Sequence, residues 1–187
     1  VSSPSVRAFI ALELPERVRE AVGELQARLR PRLGGIRLVR SEGAHLTLRF
    51  LGETTSAQVE ALRGDLARAA ASCPPAAVRV ATLGTFPERG SPRVLWIGLG
   101  LPAAVLALQA ACERAAVAAR FPPEERPFQP HLTLGRWRER ASRPALPEGV
   151  DLGDAHLESL VLVRSEMQPG GARYTPLARF TLGAALD

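Results

Sequence analysis

The chain contains no lysine and no asparagine, and all 24 of its basic residues are arginine. We read this skew as GC-rich coding with a share of thermal adaptation, not as mechanism. Cysteine is scarce: 187 residues hold two, with no CxxC spacing, which excludes a small disulfide-stapled scaffold. Cys112 falls on the apolar stripe Leu101, Val105, Leu108, Cys112, the position of a buried thiol, and Cys73 ends a helix before Pro74-Pro75. No apolar run is long enough to span a membrane, and no signal-peptide pattern or low-complexity tract is present. A cytoplasmic protein is the expectation. Histidine is rare too, with three in the chain.

What is present is an ordinary globular composition, 46% apolar, with a net charge of +5 that suits an anionic partner. Two of the three histidines open the same tetrapeptide, His45-Leu46-Thr47-Leu48 and His131-Leu132-Thr133-Leu134, 86 positions apart. In a β-strand, side chains alternate between faces, so each copy sends His and Thr one way and both leucines the other. The leucines belong in a core; the polar pair is left for a groove. Shifting Arg7-Ala8-Phe9-Ile10 by the same 86 positions lands on Arg93-Val94-Leu95-Trp96, and each run leads to a proline (Pro15, Pro102) and a helical pattern. Two related halves are expected, each delivering one His-x-Thr strand.

Strands are expected at 7–14, 36–39, 45–51, 78–83, 94–99, 131–137, 157–163 and 174–182, the last two joined by a hairpin turn at Pro169-Gly170-Gly171. Helices are expected after Pro15 (Val18, Val22, Leu25, Leu29), after the capping-box pair Thr55 and Gln58, and over 102–119. The charged loop Pro87 to Pro92 is the natural lobe boundary. Strands and helices mixed without strict βαβ alternation indicate an α+β fold with antiparallel sheets.

Three uses of the repeated strands compete. Amphipathic packing alone would keep the leucines, but gives no reason to repeat His and Thr on the opposite face. A zinc site needs three or four ligands, and two imidazoles with no adjacent cysteine fall short. Metal-free acid–base chemistry on a phosphate fits better. Two imidazoles facing one anion settle with one protonated and one neutral. One then protonates the leaving oxygen while the other takes a proton from water, and the Thr hydroxyls donate to the non-bridging oxygens. The residues alone leave the order of the two roles open.

The paired motifs resemble the signature of the two-histidine (2H) phosphoesterases, in particular the bacterial and archaeal RNA 2′,3′-cyclic phosphodiesterase branch, also called 2′-5′ RNA ligase. The likeness extends over 7–12, 45–53, 92–96 and 130–136, and to the hairpin 169–174. It implies a single bilobal α+β domain over 1–187, two antiparallel sheets lining a central cleft with helices outside. It further implies hydrolysis of RNA 2′,3′-cyclic phosphate to a 2′-phosphomonoester by a monomer, with His45 as proton donor and His131 as proton acceptor. Thr47, Thr133, Arg49 and Arg136 would bind substrate, and no metal or cofactor is needed. tRNA halves and cyclic nucleotides are further candidate substrates. The rival functions are joining tRNA halves through a 2′-5′ bond and binding RNA ends without turnover.

Strand parity weighs the flanking residues. Arg49 shares the His45 face if alternation continues, whereas Arg136 reaches the cleft only if its strand bends or ends at Gly135. Trp96 and Trp137 can stack on a base, with core packing the alternative. Tyr174 and His156 read as structural. Arg136, Arg138, Arg140 and Arg143 either guide an RNA backbone or form a solvated loop.

Overall fold

The computed structural model describes residues 5–169 and 171–184. The order is β1 (Ser5–Glu13), α1 (Glu16–Leu29), β2 (Ile36–Leu38), β3 (His45–Thr55), α2 (Ser56–Ala71), β4 (Ala76–Phe86), β5 (Val94–Gly100), α3 (Ala103–Ala118), β6 (His131–Trp137), β7 (Asp151–Leu157), β8 (Ser159–Gln168) and β9 (Gly171–Thr181). One sheet runs β3-β1-β8-β9 and the other β2-β6-β5-β4-β7, with every pairing antiparallel. The α+β class and the two antiparallel sheets are as expected.

The expected lobe boundary is not one. The 87–92 segment joins β4 to β5 inside a single sheet, because a local Pro/Gly signal marks a turn and says nothing about which sheet its strands join. The halves exchange strands instead. The third strand beside β1 and β3 is β8, which follows the second motif; the third beside β5 and β6 is β4, which follows the first. The expected strand over 157–163 is likewise two strands, β7 and β8, broken at Glu158 and sent to different sheets. The hairpin joining β8 and β9 forms as expected from Pro169 and Gly171, while Gly170 lies outside the described residues.

Helices are exchanged too. α1 packs against β7 of the second sheet, while α2 and α3 pack on each other and against strands of the first. The buried α1 residues Val18, Val22, Leu25, Gln26 and Leu29 follow the helical period. Thr55 and Gln58 form the expected capping box at the start of α2, the Gln58 amide donating to Thr55 Oγ1 (3.3 Å) and the Thr55 amide to Gln58 Oε1 (3.1 Å). Leu46, Leu48, Leu132 and Leu134 are all buried in the main core, on the side away from the histidines. Cys112 is buried beside α2, and burial pushes its thiol up to about 12.

The repeat is offset by 85 in its first strand, not 86. Ala11 pairs with Thr47, and Trp96 pairs with Thr133. Phe9 therefore corresponds to Val94, and Ile10 to the equally buried Leu95. A slip of one residue exchanges core and cleft faces, so the 86 alignment places Phe9 on the wrong side.

Candidate active site

β3 and β6 approach each other across the gap between the sheets. Each carries its motif with the same burial sequence: His and Thr half-buried, the leucines buried, then a buried residue, an exposed one and a buried one. The repeat of that pattern has a backbone cause. On β3 the pairing jumps between Thr47 and Arg49, and on β6 between Thr133 and Gly135. Leu48 and Leu134 are thus the extra residues of two matching β-bulges, devices that re-aim the side chains after them.

The bulges decide the fate of the two arginines. After Leu48 the parity inverts, so Arg49 turns into the interior, contrary to the expectation that it shares the His45 face. Its guanidinium is 7% exposed, pairs with Glu113 on α3, and donates to the carbonyls of Phe50 and Pro122. Phe50 takes the cleft-facing place instead, 56% exposed and 6.1 Å from Phe9. After Leu134 the same inversion brings Arg136 onto the His131 face, satisfying the condition that strand geometry set for it. Gly135 occupies the interior position, where a Cβ would lie 2.7 Å from Ile36. Arg37, opposite Arg136 on β2, adds a second cation at this edge.

Each bulge carbonyl is held by a buried-face glutamine from the other half. Gln26 on α1 donates to Leu134 O (2.9 Å) and to Val39 O (2.8 Å). Gln109 on α3 donates to Leu48 O (3.4 Å). A carbonyl displaced from its ladder needs such a partner when buried.

Both imidazoles are pinned alike. Nδ1 of His45 donates to Gly43 O (2.6 Å) and Nδ1 of His131 to Gln129 O (2.7 Å), in each case the carbonyl two residues back. A carbonyl only accepts, so Nδ1 carries the proton and Nε2 is left to exchange one. His45 stacks on Phe9 (4.5 Å between centroids, 21° between planes) and meets Tyr174 edge-on at 5.0 Å. His131 meets Phe86 edge-on at 5.0 Å, with Trp96 at 6.4 Å. Burial lowers both histidines from their ordinary value; at His131 the nearby Arg136 lowers it further. Arg136 also acts on the Tyr174 hydroxyl, which burial raises. Arg136 is thus close enough to act electrostatically on both His131 and Tyr174, the residue that meets His45 edge-on.

A groove of about 490 Å³ flanks His131, with Trp96, Phe86, Phe128 and Arg79 among its walls. The Trp96 ring lies over Gly84, where a Cβ would come within 2.1 Å of it. Trp96 is thus the tryptophan available to a ligand, whereas Trp137 is a core residue whose Nε1 donates to Gly34 O (2.9 Å). His156 is exposed on the edge strand β7, away from the motifs. Among the described residues no three His, Cys, Asp or Glu side chains cluster as metal ligands.

A family model described as LigT like phosphoesterase matches residues 12–96 and 99–174. The chain belongs to this phosphoesterase family. An RNA 2′,3′-cyclic phosphodiesterase of Thermus thermophilus is 37% identical to it over 187 residues, spanning 95% of this chain and 90% of the relative. One of Methanothermobacter thermautotrophicus is 30% identical over 183 residues, spanning 95% and 99%. The crystal structure of TT0787 of Thermus thermophilus matches this LigT-like phosphoesterase with a TM-score of 0.83 at 34% identity, covering 95% of this chain and 98% of that one. Escherichia coli LigT complexed with 3′-AMP matches with a TM-score of 0.77 at 27% identity, covering 97% and 100%.

Proposed function

We propose that this phosphoesterase hydrolyses RNA 2′,3′-cyclic phosphate ends to 2′-phosphomonoesters, with His45 as general acid and His131 as general base. The observation that supports the proposal is the pair of matching bulged strands, one from each sheet and in contact with each other, each carrying an Nδ1-pinned imidazole with a Thr two residues along on the same strand face.

Neutral His131, kept so by burial and by Arg136, accepts a proton from water at Nε2 as the water oxygen bonds to phosphorus. The bond from phosphorus to the 3′ oxygen breaks, and His45 delivers its Nε2 proton to that oxygen. One imidazolium is exchanged for another, and solvent resets the pair. The surroundings support this order of roles. An aromatic face stabilises a cation, and Phe9 stacks on His45; a guanidinium disfavours one, and Arg136 is beside His131. Burial lowers His45 as well, so the anionic substrate must help to charge it. Thr47, Thr133 and Arg136 then hold the non-bridging oxygens, where charge builds up in the transition state. Arg49 has no part in this, being committed to Glu113.

One chain supplies both histidines, which supports action as a monomer. Terminal cyclic phosphates on tRNA halves and small cyclic nucleotides present the same reacting atoms, and a substrate panel ranks them. The test is incubation with a 2′,3′-cyclic-phosphate oligonucleotide in EDTA, identifying the hydroxyl that keeps the phosphate. A 2′-phosphate formed at undiminished rate is expected. Activity abolished by EDTA and restored by zinc, or binding without turnover, would overturn the proposal.

A further inference from the structure

A second concavity lies beyond the end of β6, away from the histidines. It encloses about 680 Å³ between the 32–35 turn and the 137–144 segment, and four arginines line it: Arg32, Arg138, Arg140 and Arg143, against one acid, Glu139. The wall opposite the loop is Gly34-Gly35, where no atom lies within 4 Å of an added Cβ and Gly35 has φ +67°. Bare backbone of this kind lets a ligand approach closely.

The 138–143 segment has no regular structure, yet it is tied down. The Arg143 guanidinium donates to Thr85 Oγ1, Pro87 O (2.9 Å) and Gly90 O (3.2 Å). Ser91 bonds both ways with Ala141 (3.0 Å each), and Arg93 donates to Arg138 O (3.0 Å). Between these anchors, Arg138 and Arg140 are exposed, as is Arg32 across the gap. Among the described residues none of these three guanidiniums pairs with a carboxylate, in contrast to Arg79, which is paired with both Asp151 and Asp154. A solvated loop needs no such tethering, and a basic surface meant only for solubility needs no walls.

We infer that this concavity binds the backbone phosphates of the RNA strand upstream of the reacting end, an inference that rests on the phosphodiesterase proposal above. Arg37 and Arg136 lead from the cleft to it along the β2–β6 edge. At about 3.3 Å per strand residue, Trp137 at the end of β6 stands roughly 20 Å from His131, with Arg138 the next residue beyond it, a span that a few nucleotides cover. A single-stranded segment contacts the arginines through charge, so its recognition is independent of base and weakens with salt.

The experiment compares adenosine 2′,3′-cyclic phosphate with a hexanucleotide ending in 2′,3′-cyclic phosphate, on wild type and on the triple variant R32Q/R138Q/R140Q. The variant should keep its kcat/KM on the mononucleotide, which also shows that it folds. Its KM on the hexanucleotide should rise about tenfold with kcat unchanged, and the slope of log KM against log salt should fall by about 2, from ~0.7 per phosphate contact. An unchanged KM and salt slope on the hexanucleotide would overturn the inference, as would equal losses on both substrates. If wild type turns over neither substrate, the phosphodiesterase proposal fails by itself. Fluorescence anisotropy with a labelled hexanucleotide then decides the concavity: weaker binding by the variant sustains it, and equal binding overturns it.

Discussion

Replacing Arg49 by alanine separates two roles that the sequence leaves open for it. The side chain is 7% exposed and its partner Glu113 is 24% exposed, so the variant strands a carboxylate at the edge of the interior. Removing one member of a buried ion pair costs about 3–5 kcal/mol. The Glu124 amide still donates to Glu113 (2.9 Å), which places the cost near the lower end, about 3 kcal/mol. In a chain of this length each kcal/mol moves Tm by about 2–4 °C, so a fall of roughly 6–12 °C is expected by calorimetry. The double variant Arg49→Met/Glu113→Leu should regain most of it, since apolar replacement of a whole buried pair is often neutral or stabilising. Well below Tm, kcat/KM for a cyclic phosphate should change by less than about tenfold, because removing a group that holds a transition-state oxyanion costs far more, about 10²–10³. A variant with unchanged Tm and activity reduced a hundredfold or more would refute the argument and return Arg49 to the phosphate.

Single His45→Ala and His131→Ala variants should each lose about 10²–10⁴ in kcat while keeping their circular dichroism and Tm, and the double variant should lose much less than their product. Gln26→Leu should cost about 1–3 kcal/mol by denaturant titration, because Val39 O loses its donor and Leu134 O keeps only the Val39 amide. It should also lower kcat more than it raises KM for a cyclic phosphate, since Arg136, which holds the transition-state oxygens, depends on the bulge that Gln26 braces.

Much of this site can be read directly from periodicity. The leucines of both motifs are in the core and the histidines face a cleft, because alternation is a local property that each strand obeys up to its bulge. The bulges are what periodicity misses: Leu48 and Leu134 are ordinary leucines in ordinary alternation, yet the extra residue reverses Arg49 and Arg136. Strand exchange between the sheets is equally hidden, since it rests on the pairing of β8 with β1 and of β7 with β4, partners far away in sequence. Two signals were there to be used. Gln26 and Gln109 each sit at the i+4 place of an apolar helix stripe, Val22-Leu25-Gln26-Leu29 and Val105-Leu108-Gln109-Cys112. A glutamine on such a stripe must find a buried partner, and here it finds the bulge. The aromatic surroundings of the histidines depend on which strands share a sheet, Phe9 of β1 and Tyr174 of β9 with His45 of β3, and Phe86 of β4 with His131 of β6, and no local pattern announces them.

The most direct test of paired imidazole catalysis is the pH dependence of kcat/KM for wild type and the two histidine variants. This quantity reports ionisations of the free enzyme. Burial lowers both histidines, so the wild-type profile should be a bell centred below about pH 6.5, the ordinary imidazole value. Protonation of His131 should set its acid limb, and loss of the His45 proton its alkaline limb. His131→Ala should abolish the acid limb alone and His45→Ala the alkaline limb alone. A flat wild-type profile, or a bell that keeps both limbs in each variant, would contradict the account.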